Sequence, residues 1–167
     1  VMSLEIERRF LVSGDKWHES VINVEHLRQG YLAVRDDGLT VRLRINNHQR
    51  ASLTLKAPAN GIASYEFEYS IPIEDAESLW IFAPDRISKI RHGLNLPGGD
   101  WIVDCFEGEN FPLVLAEIEI PQQNTVFDLP NWCWQEVTSH KEWNNASLAS
   151  NPLSTWPKSK LLKFGLK

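Results

Sequence analysis

The chain has 167 residues, of which 43% are hydrophobic and 23% charged, which suffices for one globular domain with a buried core. A formal net charge of −5 at pH 7 argues against nucleic acid as a partner. No apolar run reaches the roughly 18 residues of a membrane-spanning helix, so no membrane partner is predicted.

The cysteines also bear on compartment. Cys105 and Cys133 lack C-x-x-C spacing, which argues against a zinc site or a disulfide framework, although one disulfide between them is compatible with the sequence. The first residues contain no apolar signal-peptide core. A cytoplasmic protein is therefore expected.

Strand-like segments dominate the chain. Most alternate apolar and polar residues at a period of two, and turn-forming sequences such as Asp36-Asp37-Gly38 and Pro97-Gly98-Gly99 separate several of them. In chain order, the predicted strands are 4–12, 26–34, 39–46, 50–57, 64–72, 86–93, 100–107 and 113–121.

Helical segments are fewer. Residues 73–83 begin with acidic residues and continue with an apolar stripe, which is typical of the N-terminal part of a helix. Residues 13–23 are a second candidate, and the tail from residue 139 predicts short helical turns interrupted by Pro152 and Pro157. We predict a single mainly β domain over residues 1–167, either a sandwich or a closed barrel with a few flanking helices.

Charges of one sign occur in pairs on the polar faces of these strands. The acidic pairs are Glu5 and Glu7, Glu66 and Glu68, and Glu117 and Glu119, and the basic pairs are Arg42 and Arg44, and Lys89 and Arg91. A single charged face is ordinary for a half-solvated sheet. Residues two apart on a strand are roughly 6.5–7 Å apart, where like charges repel, so repeated sorting by sign indicates a ligand between the pairs.

The chemistry of the pairs identifies that ligand. Carboxylates bind divalent metals such as Mg²⁺ or Mn²⁺, and arginines match phosphate oxygens. A polyphosphate chelated to a divalent metal satisfies both sets. If a closed barrel turns these faces inward, its interior is a hydrated tunnel rather than a core.

A series of motifs then follows the chain in order. Its first member, Glu5-Ile6-Glu7-Arg8-Arg9, stands where an E-x-E-x-K motif opens a known family. The later members are LRQGYL with Arg28 and Tyr31, TVRLR, LTLK with Lys56, YEFEYSIP, ISKIRH, VDCFEGEN with Asp104, and LAEIEI. With this set, which spans nearly the whole chain, the sequence resembles the CYTH superfamily of triphosphate tunnel metalloenzymes, especially its small bacterial members.

The resemblance implies an eight-stranded antiparallel β-barrel that forms a charged tunnel, and a metal-dependent triphosphatase acting most readily on inorganic triphosphate. Its phosphate-binding residues would be Arg9, Arg42, Arg44, Lys56, Lys89, Arg91 and Arg28. Its Mg²⁺ or Mn²⁺ ligands would be Glu5, Glu7, Asp104, Glu117 and Glu119. Catalytic roles fall to Arg9, Glu117, Glu119 and Lys89, with Glu66, Glu68 and Tyr31 as second choices.

One position departs from the family pattern, because Arg9 replaces its lysine. Arginine is a planar fork that stays protonated, so Arg9 can hold a phosphate but cannot donate a proton. The alternatives are therefore an adenylate cyclase of the class IV type or a thiamine triphosphatase on the same fold, a tunnel that binds polyphosphate or nucleotide without turnover, and a sandwich with a solvated charged face. A homodimer is the expected assembly.

Overall fold

The computed structural model describes residues 3–166. Its strands are β1 (Leu4–Val12), β2 (Val21–Val34), β3 (Thr40–Asn46), β4 (Arg50–Pro58), β5 (Ala63–Ile71), β6 (Asp85–Leu94), β7 (Asp100–Phe106), β8 (Val114–Glu119) and β9 (Cys133–Glu136). Its α-helices are α1 (Ile73–Leu79), α2 (Asn145–Ser150) and α3 (Lys158–Lys163), and 3-10 turns cover Lys16–Ser20, Trp80–Phe82, Gly108–Asn110, Lys141–Trp143 and Leu153–Thr155.

Eight of the strands close into an antiparallel barrel. They pair in the order β5-β4-β3-β2-β6-β7-β8-β1, and β1 completes the ring by pairing with β5. The ninth strand, β9, pairs with the last residues of β1. The predicted barrel is thus confirmed, and the sandwich is not formed. β1 closes the ring because its first half pairs with β5 while its second half pairs with β9.

Two local predictions need correction. The helix expected over 13–23 is a 3-10 turn at Lys16–Ser20, and Val21 already pairs with Leu94 of β6, so tertiary pairing overrides the local sequence signal. β9 was not predicted, because a strand of four residues shows too little alternation to be recognised. The helix expected over 73–83 is α1 followed by a 3-10 turn at Trp80–Phe82.

The outer wall of the barrel is covered in two places. On one side, α1 packs Ala76 against Leu43, Ile45 and Ala51. On the other side the outward faces of β1, β7 and β8 contact residues from the flanking loops. This second cluster includes Phe10, Trp17, Trp101, Val103, Ile118 and Trp132. The apolar faces of the strands therefore point outward here, which leaves the opposite faces to line the lumen.

One end of the lumen is filled by the C-terminal segment. The side chains of Trp143, Leu148, Leu153, Trp156 and Phe164, which we call the apolar plug, form one buried cluster with inward-facing residues of the barrel. Those barrel residues are Leu11, Ile87, Phe106, Leu113 and Leu115. Asn144 caps α2 by accepting a hydrogen bond from the Ser147 N–H at 2.8 Å. The lumen is thus charged along one part only and is apolar at this end.

Asn110 fastens the plug to the barrel. Its side chain donates to the Leu148 carbonyl at 3.1 Å and accepts from the Leu153 N–H at 2.9 Å. Both contacts are buried, so they satisfy backbone groups that water cannot reach. No helix within residues 3–166 has the length and apolar character needed to cross a membrane.

Candidate active site

Strand register brings most of the predicted residues to one place. Across β1 and β8, Arg9 lies opposite Glu117 and Glu7 opposite Glu119. Arg91 lies opposite Asp104 across β6 and β7. Directly opposed residues of an antiparallel pair project to the same face. The remaining lumenal pairs are Lys56 with Glu66, and Tyr31 with Arg42.

Lys56 lies among the carboxylates of β1 and β5. Its Nζ is 2.6 Å from Glu5 Oε2, 3.6 Å from Glu7 Oε1 and 3.9 Å from Glu66 Oε2. Burial opposes the charge of this ammonium group, but Glu7 and Glu5 raise its pKa above the ordinary lysine value. Lys56 is therefore held charged.

Arg9 links two carboxylates on neighbouring strands. Its Nη2 donates to Glu7 Oε1 at 3.2 Å, and its Nε is 3.5 Å from Glu117 Oε1. Although burial opposes it, the carboxylates of Glu117 and Glu7 raise the pKa of Arg9. The arginine that replaces the family lysine is thus accommodated as a bridge between β1 and β8.

A second group of charges surrounds Asp104, which is 0% exposed. Arg91 donates from Nε to Asp104 Oδ1 and from Nη2 to Oδ2, both at 2.9 Å. Lys89 Nζ donates to Oδ2 at 2.6 Å and to Asn145 Oδ1 of α2 at 3.0 Å. Burial alone would raise the pKa of Asp104, but Arg91 and Lys89 hold it below the ordinary value. Asp104 therefore serves as the counterion of both cations.

The basic pair on β3 has weaker partners. Arg42 Nη2 donates to Thr54 Oγ1 at 3.0 Å and lies 3.8 Å from Glu68 Oε2. Arg44 donates from Nε and Nη2 to Gln29 Oε1 at 3.0 and 2.7 Å. Burial raises the pKa of the nearby Tyr31, so its phenol stays protonated.

The four glutamates of β1 and β8 fit a divalent cation by their chemistry. Glu7 and Glu119 are directly opposed, an arrangement that is unfavourable without a cation between them. Burial raises the pKa of Glu5 and of Glu119 above the ordinary glutamate value. Their oxygens are the hard ligands that Mg²⁺ and Mn²⁺ prefer.

The ligand-free arrangement is not that of a loaded metal site. Within residues 3–166, no three His, Cys, Asp or Glu side chains are grouped closely enough to hold a metal ion. Glu5 and Glu7 contact Lys56, and Glu117 contacts Arg9. Both oxygens of Asp104 are taken by Lys89 and Arg91, so its donor atoms fit a metal less well than those of the glutamates.

Arg28 lies outside the lumen, so the structure does not support its predicted phosphate contact. Its guanidinium carbon is 4.6 Å from the centre of the Trp80 ring, and its Nη1 is 3.5 Å from Glu77 Oε1. The reason is strand parity. Tyr31 is three residues further along β2 and faces the lumen, so Arg28 faces the opposite way.

Three lumenal polar contacts were not predicted. Gln29 and Thr54 share strand parity with Tyr31 and Lys56, and this signal alone would have placed them inside. Asn145 had no such signal, because its contact with Lys89 arises where the C-terminal segment enters the barrel.

Comparison with known proteins gives an independent result. The family model of the CYTH domain matches residues 3–147. An inorganic triphosphatase of Acetivibrio thermocellus is 39% identical over 90% of this chain and 96% of its own length. One of Nitrosomonas europaea is 34% identical over 87% of this chain and 96% of its own. A crystal structure described as an inorganic triphosphatase superposes with a TM-score of 0.64 at 34% identity, covering 87% of this chain and 93% of the other.

Proposed function

This chain belongs to the CYTH domain family, and we propose that it hydrolyses a phosphoanhydride bond of a small-molecule triphosphate, foremost inorganic triphosphate, inside the barrel. Two relatives above 30% identity are inorganic triphosphatases. The observation that carries the proposal is the convergence of cations from four strands beside four glutamates in one lumen. The cations are Arg9, Arg42, Arg44, Lys56, Lys89 and Arg91.

The cations would bind and orient the phosphate oxygens. Phosphoryl transfer depends mostly on positioning and on neutralising charge, and both are stronger in a water-poor interior than in solution. Arg42, Arg44 and Arg91 offer planar guanidinium donors, while Lys56 and Lys89 offer compact point charges. Asp104 enters this proposal as the group that orients Lys89 and Arg91, in place of its predicted role as a metal ligand.

Membership of the family implies a divalent metal ion, and we propose Mg²⁺ or Mn²⁺ held by Glu5, Glu7, Glu117 and Glu119. When bound, such an ion supplies charge neutralisation and a lower pKa for an attacking water. Glu117 or Glu119 accepts the proton of that water. Lys56 and Arg9, which contact these carboxylates in the free protein, then turn to the phosphates.

The second-choice residues have supporting places. Glu66 and Glu68 lie 3.9 Å from Lys56 Nζ and 3.8 Å from Arg42 Nη2, which suits orienting those cations better than binding metal. Tyr31 lines the lumen beside Arg42. We further propose that residues 1–167 act as one domain, since the plug completes the barrel, and that both free cysteines belong to a cytoplasmic protein. A homodimer stays a prediction for size-exclusion chromatography.

The deciding experiment compares phosphate release from inorganic triphosphate, ATP and thiamine triphosphate with Mg²⁺, Mn²⁺ or EDTA. We expect metal-dependent release that favours inorganic triphosphate. Cyclic AMP formation from ATP without phosphate release would identify a cyclase instead. Binding of triphosphate without release from any substrate would identify a non-catalytic tunnel.

A further inference from the structure

The cations of the lumen differ in how their charge is compensated. For five of them the closest carboxylate oxygen lies within 4.0 Å. The distances are 3.2 Å for Arg9, 3.8 Å for Arg42, 2.6 Å for Lys56, 2.6 Å for Lys89 and 2.9 Å for Arg91. Arg44 is the exception, because it forms no ion pair with any Asp or Glu among residues 3–166.

A neutral amide holds Arg44 instead. Gln29, which is 0% exposed, accepts from both Nε and Nη2 of Arg44 through its Oε1. Arginine has only donors, so the acceptor in this contact must be the amide oxygen, and the orientation of the amide is fixed. Its Nε2 is buried and has no hydrogen-bond partner in the described part of the chain.

The charge of Arg44 is unfavourable in the free protein. Burial and the neighbouring guanidinium groups of Arg42 and Arg91 lower its pKa. A buried cation without a counterion costs free energy that an entering anion recovers. The fixed fork of Arg44 is therefore a preorganised receptor for an anion.

We propose that Gln29 is a positioning residue, which fixes the direction of Arg44 without neutralising it, so that the whole charge of Arg44 meets the phosphate oxygens. The inference rests on the triphosphate site proposed above. A glutamate at position 29 would be nearly the same shape but would form a charge-assisted bidentate pair with Arg44. It would then compete with phosphate for the same guanidinium group.

The experiment compares Gln29→Glu and Gln29→Met with the wild type. The KM for triphosphate is measured with Mg²⁺, and the melting temperature of the free protein is measured in EDTA. Gln29→Glu should raise KM about 10- to 100-fold and also raise the melting temperature, because Arg44 gains a counterion. Gln29→Met should raise KM and lower the melting temperature, because Arg44 loses its acceptor.

A matched control adds the same charge elsewhere. Gln49→Glu lies in the exposed turn between β3 and β4 and should leave KM and melting temperature unchanged. An unchanged KM in Gln29→Glu would overturn the proposal. So would a Gln29→Glu protein that, like Gln29→Met, combines a raised KM with a lower melting temperature, because Gln29 would then be structural only.

The proposed function can fail separately. A wild-type protein that releases no phosphate would refute the triphosphatase. The rise in melting temperature caused by added triphosphate would then test Gln29 alone: a smaller rise in Gln29→Glu than in the wild type supports the role, and an equal rise overturns it.

Discussion

On β1 the inward side chains change from Glu7 and Arg9 to Leu11, and on β8 they change from Glu119 and Glu117 to Leu115. The same strands thus build a charged lumen towards one end and an apolar one towards the other. The charged part is held by ion pairs, while the other is packed around Trp143, whose ring centre lies 4.8 Å from that of Trp156 and 5.0 Å from that of Phe164.

This difference separates binding from stability along the barrel axis. Charges in the lumen have to be desolvated and are offset only by their partners, so they add little net stability. The buried aromatic and aliphatic plug contributes stability through the area that it removes from water. The hydrogen bond from Lys89 to Asn145 joins the two regions, since Asn145 belongs to α2 of the plug segment.

The largest expected effect comes from the apolar end. Trp143→Ala removes a fully buried side chain and should lower the free energy of unfolding by about 3–5 kcal/mol. Thermal or urea unfolding measures the loss. Below the melting temperature of the variant, the KM for triphosphate should stay near the wild-type value. A KM that rises strongly while the variant is folded would break the separation of the two regions.

Glu117→Gln tests the charged region. It removes a buried carboxylate that contacts Arg9 and that we place in the metal site. Metal-dependent phosphate release should fall by roughly 10²- to 10³-fold, while unfolding stays cooperative. The exposed Glu19→Gln is the control and should keep full activity. Undiminished release by Glu117→Gln would remove this residue from the site.

Asn145→Ala probes the link between the regions. Lys89 loses one of its two hydrogen bonds, at 3.0 Å, and should be less well oriented towards phosphate. We expect kcat/KM to fall by roughly tenfold, the order of one hydrogen bond to a charged group. Ser147→Ala on the same helix serves as the comparison. Equal losses in both variants would show that helix α2, not this contact, is what matters.

The acidic cluster should make metal affinity sensitive to pH. Burial raises the pKa of Glu5 and Glu119 above 4.5, and metal binding requires both groups ionised. As pH falls through these raised values, protons displace the metal at a higher pH than at an ordinary glutamate. Calorimetric titration with Mg²⁺ at several pH values measures this. An affinity that stays constant down to pH 4.5 would contradict the assignment.

Arg9→Lys should have the smallest effect. The lysine restores the family pattern and keeps a cation between Glu7 and Glu117. Phosphate release should stay the same or increase, as measured by initial rates with Mg²⁺. A lower melting temperature without ligand, together with a loss of activity, would show that Arg9 is needed for structure, as its bridge between β1 and β8 allows.

The sequence by itself determined which side chains share a face. Period-two alternation is a local property, so the pairing of Glu5 with Glu7 or of Arg42 with Arg44 on one surface could be deduced without a structure. The same parity argument would have placed Gln29 inside and Arg28 outside, had it been applied to β2 as strictly as to the other strands. The sorting of charges by sign then indicated an enclosed site for metal and phosphate.

Only the tertiary structure decided how these faces close and where the charged lumen ends. Barrel closure depends on the pairing of β1 with β5, which are distant in the sequence. The plug depends on Trp143 and Leu148 finding an apolar lining built by Leu115 and Ile87 on other strands. An individual leucine at an inward position looks the same in the sequence whether a helix or water lies opposite it. Its environment is set by long-range packing, which no local pattern encodes.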